Sequence, residues 1–252
     1  MLNIKMKKLT ISQVTHYHQQ GYLLYNEPLF EAADFERLHG IMEEHLLSKG
    51  NKKADELDTP HFHDSRLLDY LMHPAVLDKV EALIGPNIGL WSSHFICKDP
   101  KVGRRTPWHE DSAYWDGKFD RFDHIVTVWL ALDRSTTENG CMGVIPETHK
   151  HGFSQYQKVD AAVNTFGEEI ELEQNDLDKV VWFELEQGEC SFHDSRIIHG
   201  ANANTSFFRR CGYTMRYFSL DLQYNTALPE ADKHKLWHCR GENTTGNPLI
   251  YL

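Results

Sequence analysis

Apolar positions recur at helical spacing through the first third of the chain and at strand spacing after it. Residues 10–20 read as a short helix behind a Thr or Ser cap, closed by Gly21, and residues 22–25 as a brief strand. Phe35, Leu38, Ile41, Met42 and Leu46 share one face of a helix over 32–47, which Gly50 ends, and 49–58 is a polar loop. Leu67, Leu68, Leu71, Val76, Val80 and Leu83 mark a second helical region over 65–84, restarted at Pro74. Gly85, Pro86 and Asn87 then turn the chain.

Short strand-like runs follow at 88–95, 125–132, 141–145, 180–185, 190–193, 196–199 and 212–220. Turn residues separate them, notably Glu138-Asn139-Gly140 and Glu186-Gln187-Gly188. Helices first and many short strands afterwards predict a mainly β architecture, an antiparallel sandwich or barrel with a helical N-terminal layer. One domain is expected: the layer over about 1–85, the strand core over about 86–222, and a loop-like tail from 223 to 252. At 252 residues and 40% hydrophobic, the chain is long and apolar enough to bury a sizeable core.

The formal charge is -11, and lysines and arginines form no long block. A phosphate backbone or an anionic membrane surface is therefore a poor partner, and neither nucleic acid nor membrane is expected. No run approaches a membrane span, and the lysines at the start precede no apolar stretch of signal-peptide length, so a cytoplasmic protein is expected. Five cysteines, odd in number and scattered without a CxxC pair, read as reduced and mostly structural.

Sixteen histidines make any one of them a weak signal, so spacing has to sort them. Only His109 is followed two positions later by an acid, Asp111. Side chains two apart on an extended strand share a face, so this pair can grip one ion together. His61 and His63 also alternate but fall in a predicted loop. His149 and His151 read as a solvated turn, and His193 is followed directly by Asp194, on the opposite face of a strand. Two histidines and one carboxylate with open positions are the ligand set of non-haem Fe(II) oxygenases.

The second histidine is read as His199, because it ends an apolar run (Ile197, Ile198) and precedes Gly200 and a polar turn. A hairpin there returns the next strand beside it and puts Arg210 next to the metal site. A guanidinium suits the free end of a metal-bound dicarboxylate, since its planar fork binds a carboxylate through two hydrogen bonds. Arg209 and Arg216 are rivals for that role.

Gly85-Pro86-Asn87 through Lys98, Trp108-His109-Glu110-Asp111, residues 129–133, Glu138 to Cys141, and Val144-Ile145-Pro146 with Thr148-His149 form one set of motifs. With His199-Gly200, Asn204, Ser206, Arg210 and Tyr217, that set resembles the phytanoyl-CoA dioxygenase-like branch of the Fe(II)- and 2-oxoglutarate-dependent oxygenases. The match runs from about residue 10 to 220. The resemblance implies a double-stranded β-helix, a cupin-like jelly roll, in which His109, Asp111 and His199 bind Fe(II). It implies that Arg210, eleven residues after the second histidine, holds the far carboxylate of 2-oxoglutarate, Arg209 and Arg216 being out of register. Thr127 is expected to hydrogen-bond that carboxylate, and Trp129 to wall the pocket.

The chain departs from the family pattern in two places. Glu147-Thr148 stands where Gly-Ser is usual, and Ala201 where many relatives have Ser; His94, on the preceding strand, is expected to replace that polar contact. Asp111 leaves no place for chloride on the iron, so hydroxylation is favoured over halogenation.

Three protein ligands leave three octahedral positions, two for 2-oxoglutarate and one for O2. The implied reaction releases succinate and CO2 and oxidises a C–H bond of a small-molecule metabolite or natural-product intermediate. Tyr114, Trp115 and Phe95 are expected to line the substrate opening, where an aromatic wall holds an apolar body or a cationic head group. Nothing indicates a CoA site, and the assembly is expected to be a monomer or homodimer. A non-catalytic jelly-roll binding module gives no reason for the triad and Arg210 to occur together. A zinc hydrolase with the same three ligands leaves Arg210 and the Thr127 strand without a role.

Overall fold

Thr10 and Gln13 cap α1 (Ile11–Gln20) reciprocally, and Gly21 ends it in the left-handed region at φ 82°. A Cβ at Gly21 would also overlap the His149 imidazole, so two independent constraints demand glycine there. This computed structural model describes residues 7–229 and 231–252, which leaves the first six residues of the expected N-terminal layer outside it. β1 (Tyr22–Tyr25) follows, then α2 (Ala32–Leu47), which buries Phe35, Leu38, Ile41 and Met42 and stops at Ser48 rather than at Gly50. Within the stretch read as a polar loop lies β2 (Leu57–Asp58). The second helical region divides into a short turn, α3 (Leu68–Leu71), and α4 (Pro74–Ile84), with Pro74 in the first turn, where its missing N–H costs nothing.

The strand region opens with β3 (Ile88–Lys98), β4 (Thr106–His109) and, after the one-turn helix α5 (Asp111–Tyr114), β5 (Ile125–Ala131). β6 (Met142–Val144), β7 (Tyr156–Lys158), β8 (Glu168–Ile170) and β9 (Val181–Trp182) come next. β10 (Cys190–Asp194), β11 (His199–Ala201), β12 (Arg210–Ser219), β13 (Leu236–Arg240) and β14 (Leu249–Ile250) complete the set. The major sheet runs β1-β10-β5-β12-β3-β13-β14 with β2 on β3, and the minor sheet runs β4-β11-β6-β9. This is the expected jelly roll with a helical layer on one outer face.

That layer explains the composition of the major strands. On β5, Val126, Val128 and Leu130 pack outward among α1, α2 and α4, while Thr127, Trp129 and Ala131 face the space between the sheets. Both faces are covered, so the strand reads as one apolar run broken only by Thr127. β12 alternates likewise, with Cys211, Tyr213, Met215 and Tyr217 outward and Arg210, Gly212, Thr214 and Arg216 inward. In β3 the register to β12 slips between Arg216 and Tyr217, leaving Trp91 as an extra residue. This bulge lets Leu90 and Phe95 both face the helices despite their odd spacing, and turns Trp91 and Ser92 together toward the interior.

Three expectations fail here. Residues 196–198 are a turn, and His199 opens β11 instead of closing a strand; β11 and β12 lie in different sheets, so no hairpin joins them. The tail is not all loop, because β13 pairs with β3 and buries Trp237 in the main core. Cys97 and Cys211 face each other across the β3/β12 pair and form a disulfide, so two of the five cysteines are not reduced. They stand 114 residues apart, and only strand register, which spacing does not reveal, brings them together. Among the described residues no helix is long and apolar enough to cross a membrane.

A Cβ on Gly212 would overlap the Trp129 indole. Gly212→Ala is therefore expected to destabilise the fold by about 1–3 kcal/mol through overpacking. The check is the midpoint of urea unfolding, and an unchanged midpoint would show that Trp129 has room to move.

Candidate metal centre and active site

His109 and His199 are direct partners in the antiparallel β4/β11 pair, which joins two distant stretches of chain with ring centroids 4.1 Å apart. Glu110 is extended (φ -110°, ψ 131°) and carries Asp111 to the same side as His109, although the strand itself stops at His109 and Asp111 opens α5. One ligand atom from each of His109, Asp111 and His199 lies within 4.8 Å of the others. Each imidazole donates its Nδ1–H to the backbone carbonyl two residues earlier, His109 to Pro107 at 2.8 Å and His199 to Ile197 at 3.0 Å. A carbonyl only accepts, so the bond fixes the tautomer and leaves an Nε2 lone pair for the interior.

Asp111 is buried, and burial alone would raise its carboxyl. Arg216, His199, His109 and His193 outweigh that and hold it below the ordinary carboxylate range. Thr127 Oγ1 donates to Asp111 Oδ2 at 3.1 Å, Arg216 Nε lies at 3.5 Å, and His193 Nε2 at 3.9 Å. Burial, with His199 adding, lowers His109 to about 3. Two imidazoles that turn Nε2 to the interior and a carboxylate held ionised on one wall form a donor set that fits divalent iron, with one side left to small ligands.

The ligand set opens on a cavity of about 600 Å³ between the sheets. Arg210 closes one end, only 2% exposed, with its guanidinium 5.2 Å over the Trp129 ring. It donates to the Gly140 carbonyl at 2.9 Å, its Nε has no partner, and among the described residues it makes no ion pair. Burial lowers it to about 10. A buried cation without an anion is costly, so this end of the cavity suits a carboxylate. Arg209 is unsuited, being bound to Glu43 and Asp133.

Of the remaining sequence candidates, Trp129, His94, Tyr114 and Trp115 all line the cavity. Tyr114 stands edge-on to His109 at 5.7 Å. Thr127 lines it too, but its hydroxyl engages Asp111, so the expected bond to the co-substrate carboxylate has a different acceptor. His94 donates Nε2–H to the Asp55 carbonyl at 3.1 Å. Phe95 is not at the opening: it neighbours His94 and therefore points to the other face, where it stacks on Tyr213 at 4.5 Å.

Several lining residues escaped the sequence reading. His193 does face the cavity; it is Asp194 that turns away to bind Arg196. Alternation with Ser191 along an apolar strand was the available signal. Trp91 enters through the bulge, and His234 comes from the tail and bonds the Trp91 carbonyl at 2.8 Å, placements without a local signature. His149 is buried rather than solvated, bonded through Nε2 to the His18 carbonyl.

The sequence model of the phytanoyl-CoA dioxygenase (PhyH) family matches residues 17–212. The chain belongs to the phytanoyl-CoA dioxygenase family. It is 29% identical over 242 residues to a probable phytanoyl-CoA dioxygenase of Caenorhabditis elegans, covering 85% of this chain and 77% of that one. It is 27% identical over 241 residues to the peroxisomal phytanoyl-CoA dioxygenase of Homo sapiens, covering 86% and 70%. The fold is that of the solved non-heme monooxygenase ThoJ, with a TM-score of 0.76 at 22% identity over 95% of this chain and 86% of that one. As a member of the phytanoyl-CoA dioxygenase family the chain is an Fe(II)- and 2-oxoglutarate-dependent oxygenase.

Burial holds the His61 imidazole at about 3 and that of His94 at about 4, against 6.5 for a free one. Between those values the unfolded chain binds more protons than the folded chain, so stability is full above about pH 6.5 and falls as pH drops toward the folded values. The metal-free protein is expected to lose melting temperature steadily from about pH 6.5 to 4. A melting temperature that is flat over that interval would rule out neutral, buried imidazoles.

Proposed function

We propose that the chain hydroxylates a C–H bond of a small organic molecule, consuming O2 and 2-oxoglutarate and releasing succinate and CO2. One oxygen atom enters the product and the other the succinate, so atoms balance without a further reductant. The observation that carries this reading is the three-ligand set and the buried, anion-less Arg210 facing one cavity. His109, Asp111 and His199 would hold Fe(II), which when bound supplies the activation of O2. Arg210 binds the far carboxylate of 2-oxoglutarate, with Trp129 beneath its guanidinium and Ile96 and Met142 flanking the carbon chain.

Thr127 holds the Asp111 carboxylate in orientation through its second oxygen. Tyr114, Trp115, Trp91 and Phe166 form an aromatic opening that excludes water from the reacting carbon. The cytoplasmic location expected from the sequence belongs to the same proposal. The Cys97–Cys211 bond counts against it, since disulfides are rare in reducing compartments.

Asp111→Ala is expected to abolish succinate formation. Arg210→Ala is expected to raise the apparent KM for 2-oxoglutarate about tenfold or more, the loss of a charge-assisted pair. Both are read by succinate release with Fe(II) and ascorbate. An Arg210→Ala protein with unaltered 2-oxoglutarate dependence would mean that another cation anchors the co-substrate.

A further inference from the structure

A row of inward-facing polar side chains crosses the major sheet beside the ligand set. Register places His193 opposite Thr127, Thr127 opposite Arg216, and Arg216 opposite Ser92. Thr127 is engaged by Asp111, but both nitrogens of His193 and the Nε of Arg216 are buried without a hydrogen-bond partner. Among the described residues Arg216 bonds only the Ser92 hydroxyl at 3.4 Å and pairs only with the Asp111 carboxylate at 3.5 Å, with its side chain 13% exposed. Asp111 is the carboxylate that a metal would take, which leaves Arg216 short of an anion.

Arg216 and Arg210 share a face of β12 six residues apart, about 20 Å at roughly 3.3 Å per residue, so they serve opposite ends of the cavity. With a divalent metal, Asp111, both guanidiniums and a dicarboxylate in place, one positive charge is left over, and burying it unpaired is costly. The Arg216 end is also the aromatic end. Arg216 lies 5.7 Å from the Trp115 ring, Trp91 stands edge-on to Trp115 at 5.9 Å, and Tyr114 and Phe166 are 5.0 Å apart. Each carboxylate at the rim has a basic neighbour, Arg104 for Asp55 and Glu56 and His94 for Asp58, and Lys118 lines the same opening.

We propose that Arg216, with Ser92 and the unpartnered imidazole nitrogens of His193, binds a carboxylate of the substrate. The substrate is then an organic acid with an apolar body against Trp91, Trp115, Tyr114 and Phe166. Because Arg216 touches a member of the ligand set, the oxidised carbon lies within a few bonds of that carboxylate. This inference rests on the proposed function.

The probes are hydrocinnamate and octanoate, each with its alcohol and its amide. They are titrated into the Fe(II)-loaded protein with 2-oxoglutarate under nitrogen, with binding read by tryptophan fluorescence. The acids are expected to bind about tenfold or more tighter than their neutral analogues. Arg216→Gln should erase that preference and Arg216→Lys should retain part of it, while in air any product should carry its new oxygen near the carboxylate. Equal binding of acid, alcohol and amide by the unmodified protein overturns the inference without any variant. So does an Arg216→Gln protein that keeps the preference and instead loses affinity for 2-oxoglutarate or metal. If the protein consumes no 2-oxoglutarate at all, the proposed function fails, and the acid preference, measured on the Fe(II)-loaded protein without 2-oxoglutarate, is still decided separately.

Discussion

The active end of this molecule depends on one strand pairing, β11 antiparallel to β4. That register sets His199 directly against His109, and neither strand exceeds four residues. So short a pairing gains little from its own hydrogen bonds, and what fixes the rings is the backbone around them. Each imidazole is tied by Nδ1 to a carbonyl of its own segment, so ring orientation follows strand position and not side-chain freedom. Gly200 contributes as well, because a Cβ there would press on Trp108, which backs the same pair from outside. The ligand set is therefore organised before any ion arrives, which lowers the ordering cost of binding one.

Charge is distributed along β12 in a way that divides the labour. The strand presents a guanidinium at each end of the cavity and keeps Gly212 and Thr214 between them. Gly212 admits the Trp129 indole, over which Arg210 lies, so the cation is packed against a ring face and needs no protein carboxylate to be tolerated. A protein carboxylate in reach would have neutralised Arg210 permanently, which is the fate of its neighbour Arg209. The absence of an ion pair at Arg210 among the described residues and its presence at Arg209 thus separate an arginine open to an anion from a structural one more sharply than their adjacent positions suggest.

Much of this was legible in the chain, and what was not shares a cause. The His109/Asp111 pair, α1 with its Gly21 stop, the helix over 32–47 and the doubly buried β5 all follow from local periodicity. The pairing of His199 with Arg210 rests in the sequence on a hairpin that does not exist: the two lie in different sheets and meet across the cavity. Phe95 points outward because its neighbour His94 faces the cavity and, away from a bulge, adjacent residues on a strand take opposite faces. His193, the Cys97–Cys211 bond and the contributions of the tail depend on register between distant strands, which no local pattern encodes. A bulge is harder still, since one extra residue at Trp91 reverses the inward and outward sense of everything before it.

Those irregular features are concentrated at one end of the cavity. The Arg210 end is built from regular, register-locked strands, β5, β12 and the second half of β3, buried against the helical layer. The opposite end is assembled from the Trp91 bulge, the one-turn helix α5, the loop bearing Phe166 and the tail with His234. Regular strands tolerate few substitutions, because each inward change must fit a partner across the sheet and each outward change a packed helix. Loops, bulges and tails pack on fewer neighbours and accept new side chains at lower cost. A single scaffold can thus keep one end rigid while its irregular end, which here carries Arg216, Trp91 and Trp115, is free to be reshaped for different molecules.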